Sequence, residues 1–109
     1  MAWALSASGS TTSTPGSEQT LATDTTNATY YFEVDLSAMQ VGDIVQLRLY
    51  VMTLAGGTLR VAWESTYGPA LPVQLISPSV PQPSDQSCRV SIKQTAGSAR
   101  VFPWKLVRV

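Results

Sequence analysis

Histidine is absent from this 109-residue chain, and cysteine occurs once, at Cys88. Without an imidazole, the usual general base, the Ser-His-Asp triad and the commonest metal ligand all fall away. One thiol makes neither an internal disulfide nor a zinc site. No apolar run approaches the length of a membrane span. No basic stretch followed by an apolar one opens the chain as a secretory leader would. No glycine-rich loop links a strand to a helix, so no phosphate cradle is indicated, and no segment keeps a helical period over a useful length. Charged residues supply only 13% of the chain, about half the usual share. Hydroxyl, amide and backbone groups must therefore wet the surface, and a net charge of zero favours association. These absences argue against an enzyme, against any cofactor and against a membrane protein.

What remains is enough for one domain spanning residues 1–109. A chain of this length buries roughly 65% of the surface it exposes when unfolded, and 44% hydrophobic residues suffice for a core. Charge is unevenly spread. Residues 1–47 hold Glu18, Asp24, Glu33, Asp35 and Asp43 and no Lys or Arg, whereas all seven basic residues follow from Arg48 onwards. Either early and late strands meet and neutralise each other within the fold, or acidic and basic faces of neighbouring copies dock.

Alternation with period two dominates the rest. Tyr30, Phe32, Val34 and Leu36 share one face of a strand, and Tyr31, Glu33 and Asp35 the other. Val45, Leu47, Leu49 and Val51 alternate with Gln46, Arg48 and Tyr50. After the turn Leu54-Ala55-Gly56-Gly57, Leu59, Val61 and Trp63 alternate with Arg60, Ala62 and Glu64. Folding this hairpin about Ala55 sets Leu49 against Val61, Leu47 against Trp63 and Tyr50 against Arg60, with Arg48 diagonal to Glu64. A second hairpin is expected between Cys88–Gln94 and Val101–Val109, with Cys88, Val90, Ile92, Phe102, Trp104 and Leu106 inward. Arg89, Lys93 and Lys105 would then share its outer face. Pro103 points to an edge or a bulge. Residues 69–83 carry five of the seven prolines. That density suits an edge or an extended loop, with a short strand over Val73-Gln74-Leu75-Ile76. Residues 1–29 carry thirteen Ser or Thr; residues 1–19 are expected as a first strand or as an extended arm ordered on a neighbour. Short strands separated by turns indicate an all-β fold, a small antiparallel β-sandwich or barrel.

Other chemistry is weakly indicated. Glu33 and Asp35 lie roughly 7 Å apart on one strand face, a spacing that paired glycosidase carboxylates also use, but an ordinary solvent face accounts for them. Arg89, Lys93, Arg100, Lys105 and Arg108 form too small a basic set, at a pI near 6.1, to indicate nucleic-acid binding. Tyr31 and Tyr50 on outer faces of expected neighbours would suit a sugar platform or a subunit contact. Asn27-Ala28-Thr29 matches a glycosylation sequon by chance.

The stretches Thr20-Leu-Ala-Thr-Asp-Thr-Thr-Asn27, Tyr31-Phe-Glu-Val-Asp-Leu-Ser37, Gly42-Asp43, Ile92-Lys-Gln-Thr-Ala-Gly-Ser98 and Phe102-Pro-Trp-Lys-Leu106 resemble small virion proteins of tailed bacteriophages. The closest likeness is to head decoration (cement) proteins with a jelly-roll-like β-sandwich. It covers about Thr20 to Leu106, and the proline-rich stretch matches least. The resemblance implies a structural homodimer or homotrimer on the outer capsid surface, assembled in the host bacterial cytoplasm, with the major capsid (coat) protein as partner. Three contact elements are expected: Trp3 and its surroundings, the arm Pro78, Pro81 and Pro83, and the basic face Arg89, Lys93 and Lys105. The alternatives are a carbohydrate-binding β-sandwich module of a phage tail or fibre, and a structural part of the tail or baseplate.

Overall fold

The computed structural model describes residues 3–72 and 75–109. Nine strands run in order: β1 (Ala4–Thr12), β2 (Glu18–Asp24), β3 (Ala28–Asp35), β4 (Ile44–Val51), β5 (Arg60–Tyr67), β6 (Ile76–Pro78), β7 (Gln82–Ser84), β8 (Cys88–Ala96) and β9 (Val101–Arg108). Among the described residues there is no helix. One sheet has the order β1-β9-β3-β6, with the short β7 also pairing β3, and the other has the order β2-β8-β4-β5. All pairings are antiparallel. The chain crosses between sheets at six of its eight connections, all but β4–β5 and β6–β7, a jelly-roll-like arrangement of a two-sheet sandwich.

The core lies between the sheets, where alternation places it. Tyr30, Phe32 and Val34 of β3, Val45, Leu47 and Leu49 of β4, Cys88, Val90 and Ile92 of β8, and Phe102 and Leu106 of β9 are buried. The phenol of Tyr30 reaches the carbonyl of Thr26, so its polar end is satisfied inside the sandwich. Burial pushes this phenol and the Cys88 thiol each up to about 12, with Asp24 adding to both.

Three expectations need correction. First, β8 and β9 are not a hairpin: β8 pairs β2 and β4, whereas β9 pairs β1 and β3. Alternation says which side of a strand faces inward. It does not say which sheet holds the strand, and two strands facing each other across a core show the same pattern as two neighbours. Second, the β4–β5 register has Leu49 opposite Trp63, Leu47 opposite Ser65 and Arg48 directly opposite Glu64. The ladder skips Ala62, so Tyr50 pairs Val61; this bulge turns Val61 outward, where it is exposed. Third, the strand in the proline-rich region is Ile76–Pro78, an edge partner of β3; Val73 and Gln74 lie outside the described residues. Of the two expectations for residues 1–19, residues 4–12 take the first, a strand paired to β9.

Pro103 sits in β9, which has a neighbour on each side, without breaking the ladder. Thr29 and Val109 exchange both backbone hydrogen bonds, which fixes the parity of the β3–β9 ladder. Arg108, Leu106, Trp104 and Phe102 therefore bond towards β1, while Pro103 is turned the other way, one residue past the final β3 pair at Val34–Trp104.

The 95–99 crossover is held by buried polar groups. Gln94 is fully buried. Its amide donates to the carbonyls of Ala96 (3.0 Å) and Ser98 (2.7 Å), and its carbonyl accepts from Ser13. Beside it, the buried carboxylate of Asp43 accepts from Arg100 Nε and from the Gln40 N–H, both at 2.9 Å. Gly97, at φ 95°, packs so closely that a Cβ there would stand 1.9 Å from Asp43 Oδ1.

Candidate docking surface

The two outer faces of the sandwich differ in kind. On the β2-β8-β4-β5 sheet most outward residues join a polar network, with Val61 exposed on the edge strand β5. Glu18 accepts from Ser91 (2.6 Å), Tyr50 (2.5 Å) and Arg48 (3.0 Å). Arg48 also reaches Glu64 at 2.9 Å, and Gln46 donates to the same carboxylate at 3.1 Å. The Arg89 guanidinium lies 4.4 Å from the Tyr50 ring centroid. Partial burial works against ionisation of Glu18, but the bonds from Ser91 and Tyr50, with Arg48 nearby, outweigh it and hold its carboxyl below the ordinary range.

The outer face of the β1-β9-β3-β6 sheet exposes several large apolar residues between small hydroxyls. Directly opposed residues in an antiparallel pair share a face, so the register groups Leu5 with Val107, Ser8 with Lys105, Ser10 with Pro103 and Thr12 with Val101. It adds Tyr31 beside Val107 and Glu33 beside Lys105. Trp3 is 61% exposed, Leu5 and Val101 51% each, and Ile76, opposite Asp35 at the edge, 44%. A strand face directed at water normally carries polar residues. Here one ion pair, Lys105 to Glu33 at 3.2 Å, stands among the apolar groups, with the hydroxyls of Ser8, Ser10 and Thr12 along β1 and Asp35 at the far edge. The Lys105 ammonium also lies 5.6 Å from the Trp3 ring centroid. The ion pair separates two hollows. One, about 430 Å³, is lined by Trp3, Tyr31, Val107 and Val109; the other, about 310 Å³, by Ser8, Asp35, Ile76 and Pro103.

The expected contact residues divide between these surfaces. Trp3 and Lys105 come together, and Pro83 joins their sheet because β7 pairs β3 at Thr29. Pro81 is exposed just before β7, and Pro78 pairs with Glu33 through its backbone. Arg89 and Lys93 belong to β8, on the opposite side of the sandwich from Lys105. The expected basic face therefore does not exist; it depended on pairing β8 with β9. Tyr31 and Tyr50 are likewise on different sheets and form no common platform. Sequence reasoning missed the apolar outer face, although Leu5, Val101, Pro103 and Val107 give its signal once β9 is placed beside β1.

Charge is neutralised within the chain. Glu18, Asp24, Glu33 and Asp43 of the acidic half pair with Arg48, Arg108, Lys105 and Arg100 of the basic half. Burial resists ionisation of Asp24, but hydrogen bonds from Ser6, Thr26 and Arg108 outweigh it and hold the carboxyl well below the usual range. Glu33 is bound to Lys105, and Asp35 accepts from the Ser37 N–H at 2.9 Å, so the two carboxylates are engaged separately. Among the described residues no group of three or more His, Cys, Asp or Glu is placed to hold a metal ion, and no helix is long and apolar enough to cross a membrane. No protein-family model, no curated protein and no solved structure matches this chain.

Proposed function

We propose that this chain is a non-catalytic structural virion protein: a decoration (cement) protein of a tailed phage that binds the outer capsid surface and stabilises coat-subunit contacts. The sequence resemblance supplies the setting. The observation that carries the docking reading is the asymmetry of the sandwich, one outer face covered by a polar network with a single exposed valine, Val61, at its edge, and the other presenting Trp3, Leu5, Val101 and Ile76 to solvent. Apolar residues around a central aromatic are what binding hot spots are made of. Repeated copies on a lattice need only modest affinity at each site. The test is co-sedimentation with purified empty capsids, measuring copy number against coat protein. Saturable binding at a fixed ratio, weakened by substitutions on the Trp3 face and not on the Tyr50 face, supports the proposal; wild-type protein that stays in the supernatant refutes it.

A second reading, a carbohydrate-binding module of a tail or fibre, is favoured by one observation, the hollow that Trp3 and Tyr31 line together with Glu33 and Lys105. A glycan array separates the two readings, since a decoration protein gives no hits.

A further inference from the structure

The four sheet edges are not equally protected. β6 and β7 are three-residue strands that carry proline, which blunts an edge. β2 carries Glu18 and Asp24, and β5 carries Arg60 and Glu64. β1 has the sequence Ala-Leu-Ser-Ala-Ser-Gly-Ser-Thr-Thr, with no charge and no proline. Its single irregularity is a bulge at Ser6, whose hydroxyl is bound to Asp24.

The free side of β1 can be assigned residue by residue. The parity set by the Thr29–Val109 exchange makes Ala7, Gly9 and Thr11 the residues that bond to β9. Ser8, Ser10 and Thr12 therefore turn their backbone N–H and C=O away from β9. The Thr12 carbonyl is taken by the Gln19 side chain at 3.1 Å. Ser8, Gly9 and Ser10 are all exposed, and their small side chains leave the backbone open to a close approach.

We infer that β1 pairs antiparallel with β1 of a second copy, centred on Gly9, so that the β1-β9-β3-β6 sheet continues across a two-fold axis. Ser8 then exchanges both backbone bonds with Ser10 of the second copy, and Ser10 with Ser8, while the two Gly9 residues face each other at the axis. A strand paired with its own copy makes an isologous contact that closes after two subunits. An uncharged strand does so without bringing like charges together; the same pairing of β2 would set Glu18 against Asp24 of the second copy. The bulge at Ser6 and the capped Thr12 carbonyl limit the pairing to a short central window, so the dimer is reversible and concentration-dependent. This inference deepens the docking reading by naming a second copy as the occupant of the edge, and it needs no capsid to be tested.

The test is sedimentation equilibrium of the free protein over a wide concentration series, with Ser10→Pro and Ser8→Lys beside wild type. Ser10→Pro deletes two intermolecular donors per dimer and no bond to β9, and it should weaken dimerisation at least about tenfold. Ser8→Lys leaves every backbone donor in place and puts like charges near the axis. Amide hydrogen exchange on wild type gives a readout free of mutation: protection at Ser8 and Ser10 rises with protein concentration. Wild type that remains monomeric overturns the inference, as does a dimer that persists undiminished in both folded variants or amides at Ser8 and Ser10 that exchange at one rate at all concentrations. Capsid binding by a strictly monomeric protein would sink this inference alone; a Ser10-sensitive dimer that ignores capsids would sink the proposed function alone.

Discussion

Replacing Asp43 with asparagine removes one negative charge and almost no volume, at a side chain that is only 2% exposed. The carboxylate accepts from Arg100 Nε and the Gln40 N–H at 2.9 Å, and Arg100 Nη2 approaches its other oxygen at 3.5 Å. Asparagine can still accept from Gln40, so the loss is the charge-assisted pairing with Arg100. Removing one partner of a buried pair costs about 3–5 kcal/mol. Arg100 is itself 30% exposed and can return to water, which brings the expected loss to about 2–3 kcal/mol. For a chain of this size that lowers the melting temperature by about 10 °C at neutral pH. The bond from Arg100, together with the Gln40 N–H, holds the Asp43 carboxyl below its ordinary value. A carboxyl lowered in the folded state stabilises it above the ordinary carboxylate range, and that contribution disappears as pH falls through the folded value. Melts followed by circular dichroism should therefore show a gap between wild type and Asp43→Asn at pH 7 that closes on acidification. No gap at neutral pH, or an equal gap in strong acid, would refute the assignment.

Four further outcomes follow from the same contacts. Gly97→Ala combines a φ of 95° with a Cβ 1.9 Å from Asp43 Oδ1 and should cost at least about 1–3 kcal/mol, read from urea unfolding; an unchanged midpoint contradicts it. Phe102→Ala empties a fully buried site between the sheets and should lose about 3–5 kcal/mol in the same assay. Trp3→Ala should leave the unfolding midpoint almost unchanged, because the ring is 61% exposed. It should weaken capsid co-sedimentation by about tenfold or more, and equal effects on both measurements would remove Trp3 from the contact. Cys88 is fully buried and its thiol is pushed up to about 12 by burial, with Asp24 adding to the shift. A thiol reagent should therefore leave the native protein unlabelled and label it fully in denaturant.

Much of the architecture was legible because the side-chain period is two wherever one strand face is buried. The inward sets of β3, β4 and β8 were readable residue by residue. Sheet membership was not, because Ile92 and Phe102 look alike to the core whether their strands are neighbours or face each other across it. The crossover could have been suspected from Gln94, which continues the inward row of Cys88, Val90 and Ile92 and yet is polar. Such a residue needs buried partners, and it finds them in the loop that carries the chain to the other sheet. Neither the span of the turn nor the skipped residue at Ala62 leaves a mark in composition, so the expected β4–β5 register was off by two residues at Leu47 and Leu49 and by one at Tyr50. The apolar outer face was hidden for a related reason. Leu5, Val101 and Val107 are scattered in the chain and become one surface only when the final strand lies between β1 and β3.

The position of β9 also bears on how the molecule is made. Ala4, near the start of the chain, is held by Arg108, near its end, and β3 reaches β1 only through the strand between them. During synthesis β1 waits for its partner until β9 has left the ribosome. Closure of that sheet therefore depends on pairing between distant stretches of the sequence, the long-range pairing that makes β-proteins fold in milliseconds to seconds rather than microseconds.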